Sequence, residues 1–214
     1  MRTLSSSFLS SAAAGIGGGA TRREFLRSAA GAVCAAAVLA EARTVEAQGA
    51  VSDADRARIR SLAAWTALSF ETANPVPYGA DILNTKTGER LMRAVNAVGP
   101  ENDPSAHAEL RTIRLACAKL RTPSLRGYTL YTTCEPCAMC MACALWAGMD
   151  RVVYGATIAD ASKFGRQIHI AAAEVAKHFD VPCVVDGPVE REACVALFTS
   201  PKMQKTYERW NAGR

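Results

Sequence analysis

No apolar run of about 18 residues or more occurs outside the N-terminal region, so nothing further along reads as a membrane-spanning helix. No segment repeats at a fixed period, which argues against a solenoid or an array. A dominant charge is also missing: Lys and Arg total 25, Asp and Glu 20, for a net of +5. Residues 1–47 carry five of those arginines and three of the glutamates, so the remainder holds 20 basic and 17 acidic residues, a balance of +3. A field that small gives no argument for a nucleic-acid partner. The basic tail SPKMQKTYERWNAGR reads instead as a solvated helix face. Histidine is sparse, with only His107, His169 and His178. The last two read as packed or surface side chains.

The N-terminal region is unlike the rest. The motif TRREFLR precedes a 13-residue apolar stretch, SAAGAVCAAAVLA, and small residues follow as AEA and VEA. Thirteen residues are too few to span a bilayer, and the layout is that of a secretory signal cut after Ala42 or Ala47. Arg22 and Arg23, followed by Phe25 and Leu26, resemble a bacterial twin-arginine signal. The expected division is a signal peptide over 1–47 and a folded domain over 48–214, in a periplasmic or secreted protein with no membrane attachment after cleavage. No Leu stands three residues before Cys34, which argues against lipidation there.

In the domain, Ser52 can cap a helix with Asp53 and Asp55 in its first turn and Ile59, Leu62, Ala63, Thr66 and Phe70 on one face. Pro75 and Pro77 end it. YGADILNTKTGERLMRAVN reads as a hairpin around TKTG. PSAHAELRTIRLACAKL reads as a helix with Leu110, Ile113, Cys117 and Leu120 at core spacing. YTLYTT, RVVYGA and VPCVV read as strands, and CAMCMACALWAG, QIHIAAAEVAKHF and EREACVALF as helices, the first closed by Gly148. The alternation predicts an α/β fold, a three-layer α-β-α sandwich around a mixed sheet of about five strands. Trp65, Trp146 and Trp210 read as core or interface packing. Cys117, Cys183 and Cys194 fit core positions, where an oxidising compartment would allow one pair to bridge.

Four cysteines crowd the stretch TTCEPCAMCMACALWAG: Cys134, Cys137, Cys140 and Cys143, three residues apart. Pro136 fits the start of a helix, so Cys137 and Cys140 share one face about 5–6 Å apart and can grip one metal. Cys143 lies about 9 Å past Cys137 along the axis. Cys134 precedes the helix and could approach the metal, although the spacing does not demand it. An iron–sulfur reading lacks the closing Cys-Pro of the bacterial pattern, and neighbours on one helix are poorly placed for disulfides. Upstream, DPSAHAEL supplies His107 and Glu109. One histidine and two cysteines leave a tetrahedral Zn2+ with one open position, as catalytic zinc sites have. Glu109 lies about 200° around a helix from His107, so it is misplaced as a ligand and free for proton transfer.

His107, Glu109, Pro136, Cys137 and Cys140 together match the pattern H-x-E…P-C-x-x-C. With NDPSAHAELRTIRLACAKL, LYTTCEPCAMC and RVVYGA, the chain from about 58 to 200 resembles the cytidine/deoxycytidylate deaminase superfamily, in the branch of guanine deaminase and the tRNA adenosine deaminases. The resemblance implies zinc held by His107, Cys137 and Cys140, Glu109 as proton shuttle, and hydrolytic release of ammonia from a nucleobase or nucleoside of purine, guanine-like type. It places Asn96 against the ring and implies a homodimer. PYGADIL resembles the pocket-forming strand. Cys134 and ALWA resemble the guanine enzymes, and DGPVEREACVALF resembles the tRNA enzymes. The acidic pair of the guanine enzymes after the fourth strand is absent from ADASKFGRQIHI. An exported protein rarely meets tRNA, so a small base or nucleoside is the expected partner. Two other readings stay open: a tRNA adenosine deaminase, and a structural zinc module closed by Cys134.

Overall fold

The computed structural model describes residues 51–212. The expected signal peptide lies outside them. The elements are α1 (Asp53–Ala67), a 3-10 turn (Leu68–Glu71), β1 (Gly79–Asn84), β2 (Arg90–Val95), α2 (Val98–Glu101), α3 (Ala108–Leu120), β3 (Tyr128–Cys134), α4 (Ala138–Trp146), β4 (Arg151–Ala156), α5 (Ile158–Ala161), α6 (Ala172–Lys177), β5 (Val184–Asp186), α7 (Arg191–Thr199) and α8 (Pro201–Ala212).

The strands form one sheet in the order β2-β1-β3-β4-β5. β1 runs antiparallel to β2 and β3, while β3, β4 and β5 run parallel. Successive side chains leave opposite faces of a strand. Leu130 and Val152 therefore join one core with Ile113 and Ala116 of α3 and Met141 and Ala144 of α4. Tyr131 and Val153 join the other with Ile59 and Leu62 of α1 and Leu197 and Phe198 of α7. This is the three-layer arrangement expected, with the mixed sheet buried on both faces. No helix among the described residues is long and apolar enough to cross a membrane.

Local chemistry fixes the joints. Ser52 and Asp55 form a capping box at the start of α1. The buried Asp55 carboxylate also accepts the Tyr131 hydroxyl at 2.6 Å and two Arg151 nitrogens at 3.1 and 3.2 Å. Arg151 donates its Nε to Asp186 at 2.7 Å, so α1, β3, β4 and β5 share one charged cluster. Burial raises the Asp55 carboxyl, but the Arg151 and Tyr131 donors outweigh it and hold the group well below the ordinary carboxylate range. Gly148, at φ +71°, ends α4 in a left-handed conformation. A Cβ on Gly155 of β4 would collide with Cys194, so α7 packs tightly there.

Several expectations change. The buried face of α3 is Ala108, Glu109, Thr112, Ile113 and Ala116, while Leu110 and Cys117 are half-buried and Leu120 is exposed. Small side chains let α3 approach the sheet, and the leucines are left outside that contact. Phe70 lies in the 3-10 turn rather than on α1. The helix expected over 167–179 is only Ala172–Lys177, because Ala172 N is taken by the Glu135 carboxylate at 2.9 Å. His169 and His178 are surface side chains, within the reading given to them. Trp146 is 80 % exposed and is not a core residue. Cys117, Cys183 and Cys194 are free thiols.

Candidate metal centre

Two helix N-termini converge beyond the C-terminal end of β3. β3 ends at Cys134, Pro136 follows, and Cys137 occupies the N-cap of α4 in extended backbone. Cys140 then sits three residues on, facing the same way. His107 occupies the N-cap of α3, also extended, with its side chain unused for capping. Its place outside the helix corrects the expected angular relation to Glu109, which lies in the first turn of α3.

The ligating atoms meet. Cys137 Sγ and Cys140 Sγ are 3.7 Å apart, and His107 Nδ1 lies 3.7 Å from the first and 3.6 Å from the second. Tetrahedral zinc with Zn–S of about 2.3 Å and Zn–N of about 2.0–2.1 Å needs edges of about 3.8 and 3.5 Å. The donor triangle therefore fits such an ion. Cys140 is fully buried. Cys143 is half-buried against the core cluster and does not belong to this group. Cys134 also lies outside the group, and burial, then the nearby Glu109, push its thiol well above the ordinary range. Its place outside the three-residue group is what weakens the closed four-ligand arrangement.

Electrostatics prepare the Cys137 thiol. The Cys140 thiol donates to Cys137 and, against the opposing effect of burial, lowers it to about 4, with His107 adding to the shift. Cys140 is raised in turn by that bond and by burial. The same Cys137 contact raises His107 despite burial. Both helix starts carry positive backbone potential, which favours thiolate. Glu109 is 5 % exposed, and burial pushes its carboxyl up to about 7.

A cavity of about 320 Å³ opens over this group, walled by His107, Cys137, Glu109 and Asn96. The structure thus brings the sequence-derived residues together, with Cys140 behind them. Asn96 is buried. Its Oδ1 accepts Val98 N at 2.9 Å, its carbonyl accepts Asn74 Nδ2 at 3.1 Å, and its amide NH2 is left towards the cavity. Sequence reasoning missed the opposite wall. Phe164 and Gln167 of the loop after α5, and Tyr207 and Trp210 of α8, line it. The tail read as a solvated face is a wall helix with Met203 and Thr206 buried. The spacing Met203, Thr206, Tyr207, Trp210 carried that signal. Glu135 was also missed. Its carboxylate accepts Ile158 N at 3.1 Å and Ala172 N at 2.9 Å, binding the starts of α5 and α6 to the loop that bears Cys137.

Residues 54–156 match the family described as the cytidine and deoxycytidylate deaminase zinc-binding region. A guanine deaminase of Bacillus subtilis (strain 168) is 43% identical over 89 residues, which is 42% of this chain and 56% of that protein. A tRNA-specific adenosine deaminase of Aquifex aeolicus is 42% identical over 81 residues, 38% of this chain and 52% of that protein. The match thus spans about half the length of these two relatives. A tRNA-specific adenosine deaminase of Bacillus subtilis (strain 168) is 35% identical over 144 residues, 66% of this chain and 87% of that protein. Among solved structures, a guanine deaminase from Nitrosomonas europaea superposes with a TM-score of 0.62 at 24% identity, covering 72% of this chain and 84% of that one, a likeness of fold. With a relative matched over most of its length and the donor triangle in place, the chain belongs to the cytidine and deoxycytidylate deaminase family.

Proposed function

We propose that the chain is a zinc-dependent hydrolytic deaminase of a nucleobase or nucleoside, of purine and guanine-like type, that exchanges an exocyclic amine for oxygen and releases ammonia. The observation that carries this reading is the buried Glu109 carboxyl lining the same cavity as His107 and Cys137 of the donor triangle. His107, Cys137 and Cys140 would hold the ion. Zinc there supplies Lewis acidity that brings the pKa of water down to about 7. Glu109 takes a proton from the attacking water as its oxygen bonds to the ring carbon, and delivers that proton to the adjacent ring nitrogen; as the C–N bond breaks, it passes the proton of the newly added hydroxyl to the departing amine, which leaves as ammonia. The raised pKa of Glu109 suits a group that must both accept and return a proton near neutrality. Asn96 fixes the ring through its free amide NH2. Burial of Glu109 keeps bulk water from competing for its proton.

The proposal includes export through the twin-arginine motif at Arg22 and Arg23, and a homodimer. Twin-arginine export carries folded chains, so zinc would cap the thiolates before they meet oxidant. A second reading, a tRNA-specific adenosine deaminase, is favoured by the relative matched over 87% of its length. Ammonia release from guanine, adenine, cytosine, their nucleosides and an anticodon stem-loop tests both. Turnover of a free base or nucleoside supports the first. Activity on the stem-loop alone, falling steeply with salt, supports the second. No ammonia from any of them by zinc-loaded protein overturns both.

A further inference from the structure

Asn96 and His107, which both line the cavity, stand at the two ends of one short loop. Ala97 N donates to Ala106 O at 2.9 Å and ties those ends together. Val98, Gly99 and Pro104 of the same loop line the cavity between them. Where the loop sits therefore decides where Asn96 and His107 sit.

The loop is held in shape at Asp103. Its N–H donates to Val98 O at 3.2 Å, and its carbonyl accepts Ala106 N at 3.0 Å. Its Oδ1 accepts Ser105 N at 2.8 Å and Ser105 Oγ at 2.7 Å. Its Oδ2 accepts Arg114 Nη1 of α3 at 3.1 Å. Both partners of that ion pair are partly exposed, so solvent screens it and the bonds to Ser105 carry most of the carboxylate's effect. Ser105 O in turn accepts His107 N at 2.7 Å.

His107 depends on this support. It lies outside α3, at the N-cap, and its side chain caps nothing. Its Nδ1 faces the two thiols, and among the described residues no partner takes its Nε2. A metal-ligating histidine is ordinarily aimed by a hydrogen bond at its second ring nitrogen. Here the backbone that enters His107 takes that part.

We infer that Asp103 is a positioning residue of the metal centre: through Ser105 and the Ala97–Ala106 closure it aims the His107 imidazole, and from the same loop it sets Asn96. The part concerning Asn96 rests on the deaminase reading, in which that residue holds the base.

The zinc-loaded full chain tests this as wild type, Asp103→Ala, Asp103→Asn, Asp103→Glu and Arg114→Ala. Asparagine keeps an oxygen for Ser105 and gives up the ion pair, as Arg114→Ala does. Glutamate keeps the charge but moves its oxygens away from Ser105. Zinc release to a chelator should quicken about ten-fold or more in Asp103→Ala and Asp103→Glu. It should stay close to wild type in Asp103→Asn and Arg114→Ala. The visible spectrum of the cobalt-substituted protein reports ligand geometry, and it should shift in the same two variants only. Unchanged release and spectra in Asp103→Ala would overturn the assignment, and Asp103→Glu decides the same point should the alanine variant not fold. An Asp103→Asn protein as impaired as Asp103→Ala would overturn it too. Turnover of free bases separates this inference from the deaminase reading. With both correct, KM for the base rises in Asp103→Ala and Asp103→Glu. Turnover by every variant with wild-type KM, zinc release and spectra removes the inference and leaves the deaminase standing. Quickened release and shifted spectra, with no turnover of any base by wild type, remove the deaminase and leave Asp103 as the residue that aims His107.

Discussion

Cys137 Sγ and Cys140 Sγ stand 3.7 Å apart, both reached by one imidazole nitrogen. Cys143, one turn further on, packs half-buried against the core instead. Replacing Cys137 or Cys140 by Ser should empty the site of zinc. Cys143→Ser should retain one zinc per chain. Metal analysis of the purified variants checks this, and an empty Cys143→Ser protein would overturn the three-ligand assignment.

Glu109→Gln should keep zinc and fold while losing turnover, since only proton transfer is removed. The metal-free proteins give a second readout. Burial raises the folded Glu109 carboxyl from 4.5 to about 7. The folded state therefore binds the proton more tightly, and stability falls as pH rises through that interval. Glutamine does not titrate. Metal-free Glu109→Gln should be more stable than metal-free wild type at pH 8, on the order of 3 kcal/mol, with the gap gone near pH 4. Thermal melts across pH decide it.

Asp55 gives the opposite sign. Its folded carboxyl is held below the ordinary range, so its contribution is present above the unfolded pKa of about 4 and is lost as pH falls through the folded value. Asp55→Asn should cost about 1–3 kcal/mol at pH 7. The difference from wild type should shrink steadily below about pH 4. A constant difference down to pH 2 would mean that the carboxylate charge does not contribute.

Replacing both Arg22 and Arg23 by Lys should leave zinc-loaded, active protein in the cytoplasm of a bacterial host, with its N-terminal segment uncut. Fractionation and mass measurement of the accumulated chain test this. Normal export of the variant would remove the twin-arginine proposal.

The sequence announced those parts of the fold that rest on short-range signals. Ser52 and Asp55 form the cap that their spacing indicated, and YTLYTT and RVVYGA are the central strands β3 and β4. The meeting of His107, Cys137 and Cys140 was readable because a histidine and a Cys-x-x-Cys pair stand at two helix starts. What stayed hidden depended on distant partners. The true α6 start is set by Glu135, 37 residues away, and no local pattern records that bond. Hydrophobicity pointed to Leu110 and Leu120 on α3, but close helix–sheet approach selects Ala108, Thr112 and Ala116. Tyr207 and Trp210 were obscured by the lysines and arginine around them, although their stripe has helical spacing.

Glu135 holds Ile158 N and Ala172 N on one carboxylate. The segment between those two amides is therefore a closed ring of chain, pinned at both ends beside the ligand loop. Lengthening such a ring adds little closure entropy, about 0.6 kcal/mol per doubling. Phe164 is itself fixed against Phe198 of the core, but the stretch 165–170 can then lengthen while Cys137 stays where β3 and Pro136 leave it. That stretch carries Gln167 into the cavity. The position of the His107, Cys137 and Cys140 group is thus decoupled from the length of the loop that walls the cavity.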